Sequence, residues 1–402
     1  MPTAHEAPLR DTYDVVIVGG AVIGSSIAWA LSANEDFDGT VLVVERDPSY
    51  AQASTSLTNS CMRQQFSNPL NVQISRFGAD FVRNFRERLG GDPEIPDLFV
   101  HHFGYMYLAG DEDFAATLRR NQAIQSELGA GTRIMSPAQI KADYPFYNVD
   151  DIVCGSHNLV DEGYFDSGTM FDWWRRKARQ NGVEYVTGEV ADLVVQSGRV
   201  DAVVLASGET VRSGALVNAA GPRAVDVAAM AGATLPVEPR KRYTFIFEAA
   251  EPLDRALPLT IDPTGVHMRS DGAAYMCGCT PDVDPAVDYD DFSMDRDIFE
   301  DKVWPVLVHR VPAFERLKVT SQWAGHYAYN TLDHNVVVGP HHEVGNFIFA
   351  NGFSGHGMQQ SPAIGRAVSE WIAYGEYRTL DLTPLGYQRI VENRPFVESA
   401  II

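Results

Sequence analysis

Residues 14–24 read DVVIVGGAVIG. Val15 to Val18 form an apolar run of strand length, as expected of a parallel strand buried on both faces. Glycines follow at once, and residues 25–31 then read as a helix. A strand, a tight glycine turn and a helix start make an anion receiver. The first amides of the helix are unspent and the helix dipole is positive there, so a pyrophosphate can sit against it. Residues 41–45 supply a second strand ending in Glu45, a carboxylate placed to accept hydrogen bonds from an adenosine ribose. Gly19 and Gly24 keep the Gly-x-Gly-x-x-Gly spacing, with Ala21 in the middle position. Its methyl should crowd the closest approach of backbone and pyrophosphate without closing it. The spacing alone also suits an ordinary strand-to-helix turn, but the strand before it and the acid behind it favour a dinucleotide.

Two later stretches repeat the device. Residues 215–221, ALVNAAG, end a strand in small residues that can press against a flat ring or a phosphate, or that simply pack helix on strand. Residues 347–350 lead into Asn351, Gly352, Phe353, Ser354, Gly355, His356 and Gly357, and a helix follows from Pro362 to Trp371. That is a second glycine-rich helix start, able to receive an anion or a ring edge. Devices at opposite ends of one chain imply one large cofactor held by both. The cofactor domain is then assembled from non-adjacent segments, with a substrate domain inserted between them. Residues 53–66 are polar and rich in hydroxyls, with no proline or glycine. They suit a segment lying along a ligand, or a plain connector.

The elements that must position these residues follow from periodicity. Helical spacing predicts helices over 71–89, 111–128 and 298–310, the last marked at Pro305 by a kink or break. Ser136 caps a short helix that opens with Pro137, and another helix runs through Trp173 and Trp174 to a stop at Asn181 and Gly182. Residues 99–108 look like a strand, and 183–190, 200–205 and 210–217 like a small meander. A basic run, Arg240 to Arg242, precedes an aromatic strand over 243–247, and 265–269 and 273–279 extend the same sheet. Residues 282–297 are strongly acidic and read as solvated surface. The expected fold is α/β: a Rossmann-like cofactor domain of residues 12–90, 151–234 and 325–402, and an inserted antiparallel-sheet substrate domain of residues 91–150 and 235–324.

With 402 residues the chain can bury a large core, and its formal net charge of -21 argues against a nucleic-acid partner. That charge leaves room for an anionic substrate, since a few arginines can reverse the field inside one cleft. The four cysteines lack disulfide or zinc spacing and read as reduced thiols. The residues before the first strand carry no apolar signal and no arginine-rich presequence, and no stretch approaches the ~20 apolar residues of a membrane span. The expected compartment is the cytoplasm. The pairs His101–His102 and His341–His342 have no metal-ligand partners at useful spacing, so no metal is expected.

Taken in order, the opening unit, Arg63 to Phe66 (RQQF), Asn218 to Pro222, Trp323 to Gly325 and Gly352 to Gly357 resemble the FAD-dependent amino-acid oxidase superfamily, which includes D-amino-acid oxidase, glycine oxidase, sarcosine oxidase and dimethylglycine dehydrogenase. The likeness is greatest to FAD-dependent oxidoreductase domain-containing proteins. It implies FAD, with Gly19, Gly20, Ala21 and Gly24 at the pyrophosphate, and Glu45 and Arg46 near the ribose. Ser54 and Thr55 would lie along the cofactor, the Val190 backbone would meet the adenine, and Ala220 and Gly221 would line it. Gly352, Ser354, Gly355, His356, Gly357 and Met358 would lie beside the isoalloxazine.

The resemblance further implies hydride transfer from a carbon next to an amine nitrogen to flavin N5, giving an imine. The partners are then an amine or amino acid and, as acceptor, oxygen or an electron-transfer protein. Arg63 falls on an arginine that clamps the substrate carboxylate, while Gln359 replaces its partner lysine. Met276 replaces a lysine that promotes reaction with oxygen, which leans toward a dehydrogenase. No histidine occurs where some relatives attach the flavin, and His326 stands where sarcosine oxidases use a cysteine, so the FAD is expected to be non-covalent. Arg269 and Tyr275 are candidate substrate residues on the inserted sheet. His356 either tunes the ring or orders the glycine loop, and Arg63 could instead be a structural ion pair. The rival activities are a 2-hydroxy-acid dehydrogenase and a flavin-bound assembly or scaffold protein.

Overall fold

The computed structural model describes residues 5–399. Strand β1 (Thr12–Val18) pairs in parallel with β2 (Val41–Glu45) on one side and with Thr210–Asn218 on the other. Val15, Val16 and Ile17 are buried, as a strand covered on both faces requires. β2 pairs in parallel with Glu184–Thr187 at one edge. Thr210–Asn218 is long enough for two neighbours on its other side. Its first half takes Arg199–Leu205 antiparallel, and that strand carries Val190–Gln196. Its end takes Phe347–Asn351 in parallel, which in turn pairs with Val337–Pro340. One eight-stranded sheet therefore joins segments from both ends of the chain.

Helix α1 (Val22–Ser32) follows β1 and packs against the late helix Gly357–Tyr374. Ser26 Oγ donates to Ser361 O (2.7 Å), and a methyl on Gly365 would run into Ser26. The late helix starts at Gly357, ahead of the expected start at Pro362. Pro362 brings no N–H for the Met358 carbonyl, and Ser361 Oγ donates to that oxygen instead (2.7 Å), so the proline is tolerated inside.

The second sheet also has eight strands, in the spatial order Leu317–Asn330, Val237–Ala249, Ala274–Cys279, His267–Asp271, Leu259–Ile261, Tyr105–Ala109, Cys154–Asn158 and Arg133–Met135. All neighbours are antiparallel except Leu259–Ile261 with Tyr105–Ala109. Along Val237–Ala249, Phe245 and Phe247 enter a core with Tyr275, Leu307 and Phe314, while Arg242 and Thr244 face the cleft described below. A three-stranded sheet of Cys61–Met62, Gly163–Phe165 and Val100–His101 completes the strands.

Several boundaries differ from expectation. Cys154–Asn158, assigned by sequence to the cofactor segments, lies inside the second sheet. Residues 99–108 split into Val100–His101 and Tyr105–Ala109 at Gly104, whose φ of +82° and contact with Asn158 O break the strand. Glu184–Thr187 is the parallel edge beside β2, and the meander begins at Val190. Residues 298–310 divide into a π-helical turn, Phe299–Val303, and the helix Trp304–Arg310 that takes Pro305 in its first turn.

Candidate active site

A cleft with a volume of about 350 Å³ is lined by residues of both large sheets. Its first half is built by the glycine turn. Gly19 (φ +96°) ends β1 so close to Ala219 that a Cβ would fall 2.5 Å from the Ala219 carbonyl oxygen. Ala21 is the N-cap of α1 and brings no side-chain cap; the Val22 amide donates instead to Thr55 Oγ1 (3.1 Å). Glu45 accepts from the Gly20 amide (2.7 Å) and the Asp47 amide (2.8 Å). Burial raises its pKa, and the two amides oppose the shift. Ser54 Oγ donates to His326 O (2.6 Å), tying residues 53–66 to the second sheet along the cleft.

Gly19, Ala21, Glu45, Arg46, Ser54, Thr55, Val190, Ala220, Gly221, Ser354, Gly355, His356, Gly357 and Met358 all line this cleft. Gly20, Gly24 and Gly352 do not line it and instead shape the turns around it. A Cβ on Gly20 would meet Val43 and Tyr50, one on Gly24 the Gly19 carbonyl oxygen, and one on Gly352 the Val237 and Asn330 side chains.

Arg63 is buried where the halves meet. Its Nη1 donates to Gln65 O and its Nη2 to His356 Nε2 (2.8 Å), with the guanidinium 4.1 Å from the Phe66 ring centre. A guanidinium can only donate, so Nε2 accepts and His356 carries its proton on Nδ1. Burial and then Arg63 hold the His356 pKa well below the usual range, so the ring is neutral. In this geometry the Arg63 guanidinium braces His356. The brace has its own support. Gln359 Oε1 accepts from the Arg63 amide (2.8 Å) and Ser75 Oγ donates to Arg63 O. Glu162, fully buried, accepts from the Gln64 amide (2.6 Å), Asn158 Nδ2 (2.9 Å) and Gln65 Nε2 (2.9 Å).

The second half of the cleft is the face of the second sheet, with Tyr105, Arg242, Thr244, Leu259, His267 and Tyr327. Tyr289 and Phe292, from the acidic run, also line it. That run is mostly exposed, as expected, and three of its acids are paired: Arg242 with Asp284, Lys241 with Asp291 and Arg223 with Asp290. His326 lines the cleft, stacks on Phe292 (4.2 Å between ring centres) and donates from Nε2 to Asp291 O (2.9 Å).

Two expected substrate residues are not in the cleft. Tyr275 stacks on Phe247 in the core, and its hydroxyl accepts from the Leu253 amide (2.7 Å). Strand alternation allows either face, and packing chose the inner one. Arg269 lies outside the cleft lining; its Nη1 and Nη2 donate to Ser270 O (2.8 Å), Asp271 (2.8 Å) and Asn59 O (3.2 Å), and its buried Nε has no partner. Sequence reasoning missed Arg242 and His267 as site residues. A signal existed for both: a basic run entering an aromatic strand, and a histidine two residues before an arginine on an alternating one.

The first half fits FAD. The uncapped start of α1, the glycine positions that admit no Cβ and the carboxylate at the end of β2 are the parts a dinucleotide needs. Among the described residues no cluster of His, Cys, Asp and Glu could hold a metal, and no helix is long and apolar enough to cross a membrane.

Comparison with known proteins agrees with this geometry. The family model described as FAD dependent oxidoreductase (DAO) matches residues 14–371. FAD-dependent oxidoreductase domain-containing protein 1 of Xenopus laevis is 40% identical over 435 residues, spanning 100% of this chain and 87% of that protein. The mitochondrial sarcosine dehydrogenase of Mus musculus is 24% identical over 389 residues, 93% of this chain and 41% of that protein. The crystal structure of L-proline dehydrogenase from P. horikoshii matches with a TM-score of 0.84 at 24% identity, covering 96% of this chain and 100% of that chain, a likeness of fold.

Proposed function

The chain belongs to the FAD dependent oxidoreductase family, and from that premise we propose that it oxidises a carboxylate-bearing secondary amine or N-substituted amino acid to an imine. It is an FAD-dependent oxidoreductase of the amino-acid oxidase and dehydrogenase type; the choice of substrate is our reading. The observation that carries it is one continuous cleft, with a dinucleotide cradle in one half and guanidinium groups, neutral histidines and tyrosines in the other. Bound FAD supplies the hydride acceptor, flavin N5. The protein's part is to bind and orient the amine, and to favour its neutral form, the proton having gone to solvent. A hydride leaves the carbon readily only when the neighbouring nitrogen is a neutral amine. Arg63 and Arg242 favour that form, because a nearby cation lowers the pKa of an ammonium just as Arg63 lowers that of His356. Tyr289, Phe292 and Tyr327 among the lining residues give the cleft apolar walls, which limit the water that can compete for the imine while it forms.

Sarcosine and L-proline, for which two of the related proteins are named, both carry a secondary amine beside a carboxylate, which supports the substrate class. Non-covalent FAD is supported by His326, whose Nε2 and ring face are already engaged by Asp291 and Phe292. The acceptor of the electrons is oxygen or an electron-transfer partner. The unpaired cysteines support the cytoplasm as the compartment. The test is anaerobic bleaching of the protein's flavin by N-alkyl amino acids, primary amino acids and 2-hydroxy acids in parallel. Bleaching by the N-alkyl amino acids is expected; bleaching by hydroxy acids alone would overturn the reading.

A further inference from the structure

Two residues on the cleft face of the second sheet each hold a buried N–H donor with nothing to receive it. Arg242 is 8% exposed. Its Nη1 donates to Lys241 O (2.6 Å) and Asp284 Oδ1 (2.9 Å), its Nη2 to Asp284 Oδ2 (3.0 Å), and its Nε has no partner. The guanidinium lies 4.8 Å from the Tyr327 ring centre, and Tyr327 rests against Gly355 of the glycine loop. Arg242 is thus one aromatic ring from the dinucleotide half.

His267 is 6% exposed. Asn59 Nδ2 donates to its Nε2 (3.2 Å); an amide nitrogen has only hydrogens to give, so the proton of the neutral ring is on Nδ1. Nδ1 is buried and has no partner. Burial, with Arg269 and Arg242 adding in the same direction, lowers its pKa to about 4, so it offers a donor without a charge. The register brings the two together. His267 pairs with Gly278, Gly278 pairs with Thr244, and Thr244 lies two residues along the same face from Arg242. Gly278 leaves room for the ring, since a Cβ there would fall 2.7 Å from His267 Nε2.

Buried donors without acceptors on one wall call for a ligand that brings acceptors. Arg242 is paired with Asp284 and His267 is neutral, so the wall offers two unspent donors rather than a free positive charge. We propose that the substrate's carboxylate is held on this sheet by Arg242 Nε and His267 Nδ1, which leaves Arg63 as the brace of His356. Arg269 then acts at one remove, as a positioning residue that fixes Asn59 through its carbonyl. This rests on the reading of the cleft as an amine-oxidising site.

The test uses the FAD-loaded protein and ligands that cannot be oxidised: propionate and 2-furoate, with propionamide and 2-furamide as uncharged controls. Binding is read by calorimetry and by the change in flavin absorption, and flavin per chain is measured for every variant. Arg242→Met and His267→Phe are each expected to weaken the carboxylates by about tenfold or more, the size of one hydrogen bond to a charged group, and to leave the amides unchanged. Asn59→Leu, which retains both residues, is expected to weaken them less, by releasing the ring that holds Nδ1–H in place. It still reads the proposal if the Arg242 variant fails to fold. Carboxylates that bind all flavin-replete variants within twofold of the wild type would overturn the proposal, as would carboxylates that do not bind the wild type. If N-alkyl amino acids bleach the flavin while carboxylate affinity ignores these substitutions, the proposed function stands and this inference falls. If carboxylates need both residues but no amine is oxidised, the inference stands and the function falls.

Discussion

Glu162→Gln separates two opposing effects on one buried carboxylate. Three donors and the nearby Arg63 favour the charged form, while complete burial favours the neutral one; burial dominates and pushes the pKa up to about 7. Below the ordinary value near 4.5 the group is protonated both folded and unfolded, and its contribution to stability is complete. As pH rises through about 7, the folded protein must hold a buried charge that the unfolded chain hydrates freely, and that contribution is lost. A shift of this size corresponds to about 3 kcal/mol. Spread over a chain of 402 residues, it moves Tm by about 4 °C. Glutamine cannot ionise, so the stability gap between wild type and Glu162→Gln should move about 4 °C in favour of the variant between pH 4.5 and pH 8. The assay is thermal unfolding of both FAD-loaded proteins at constant salt across that range. Parallel curves of Tm against pH would refute the reasoning and show that the donors and Arg63 keep Glu162 ionised throughout.

Gly24→Ala places a methyl against the Gly19 carbonyl oxygen in the turn that receives the pyrophosphate, so the purified variant should carry much less flavin per chain; a full complement would argue against the cradle. Tyr275→Phe should leave turnover within twofold of wild type while removing the acceptor of the Leu253 amide, a loss of about 1 kcal/mol read as a slightly lower Tm. Arg389→Met strands the buried Asp333, which Arg389 Nε reaches at 2.6 Å, and should cost about 3–5 kcal/mol in thermal unfolding. An unchanged Tm would mean that the Phe396 amide and Asn330, which also donate to Asp333, suffice alone.

Where local chemistry decides the structure, the sequence was readable. The apolar run of β1, the carboxylate closing β2 and the glycines before the late helix each force one geometry on the backbone, and those stretches took it. Where a distant partner decides, it was not. Cys154–Asn158 reads CGSHN, with no apolar run and no alternation, yet all five residues are buried because two neighbouring strands satisfy their backbone. The posture of Arg63 depends on His356, nearly three hundred positions away, and nothing near Arg63 announces which way its guanidinium turns. Tyr275 and His267 sit on adjacent strands, and which face meets the core is settled by the helix laid behind them. The late helix exceeded its expected limits because Ser361 satisfies the carbonyl that Pro362 cannot, a side-chain substitution that propensity alone does not foresee.

The first sheet has a temporal consequence. β1 is made more than three hundred residues before the strand Phe347–Asn351 and the helix that packs on α1. Until that helix is made the apolar face of α1 has no permanent cover, and the nucleotide cradle cannot close. Translation must pass the late helix before the cofactor can be captured, so termination upstream of Phe347 leaves an exposed hydrophobic layer for chaperones or proteases rather than a smaller working enzyme.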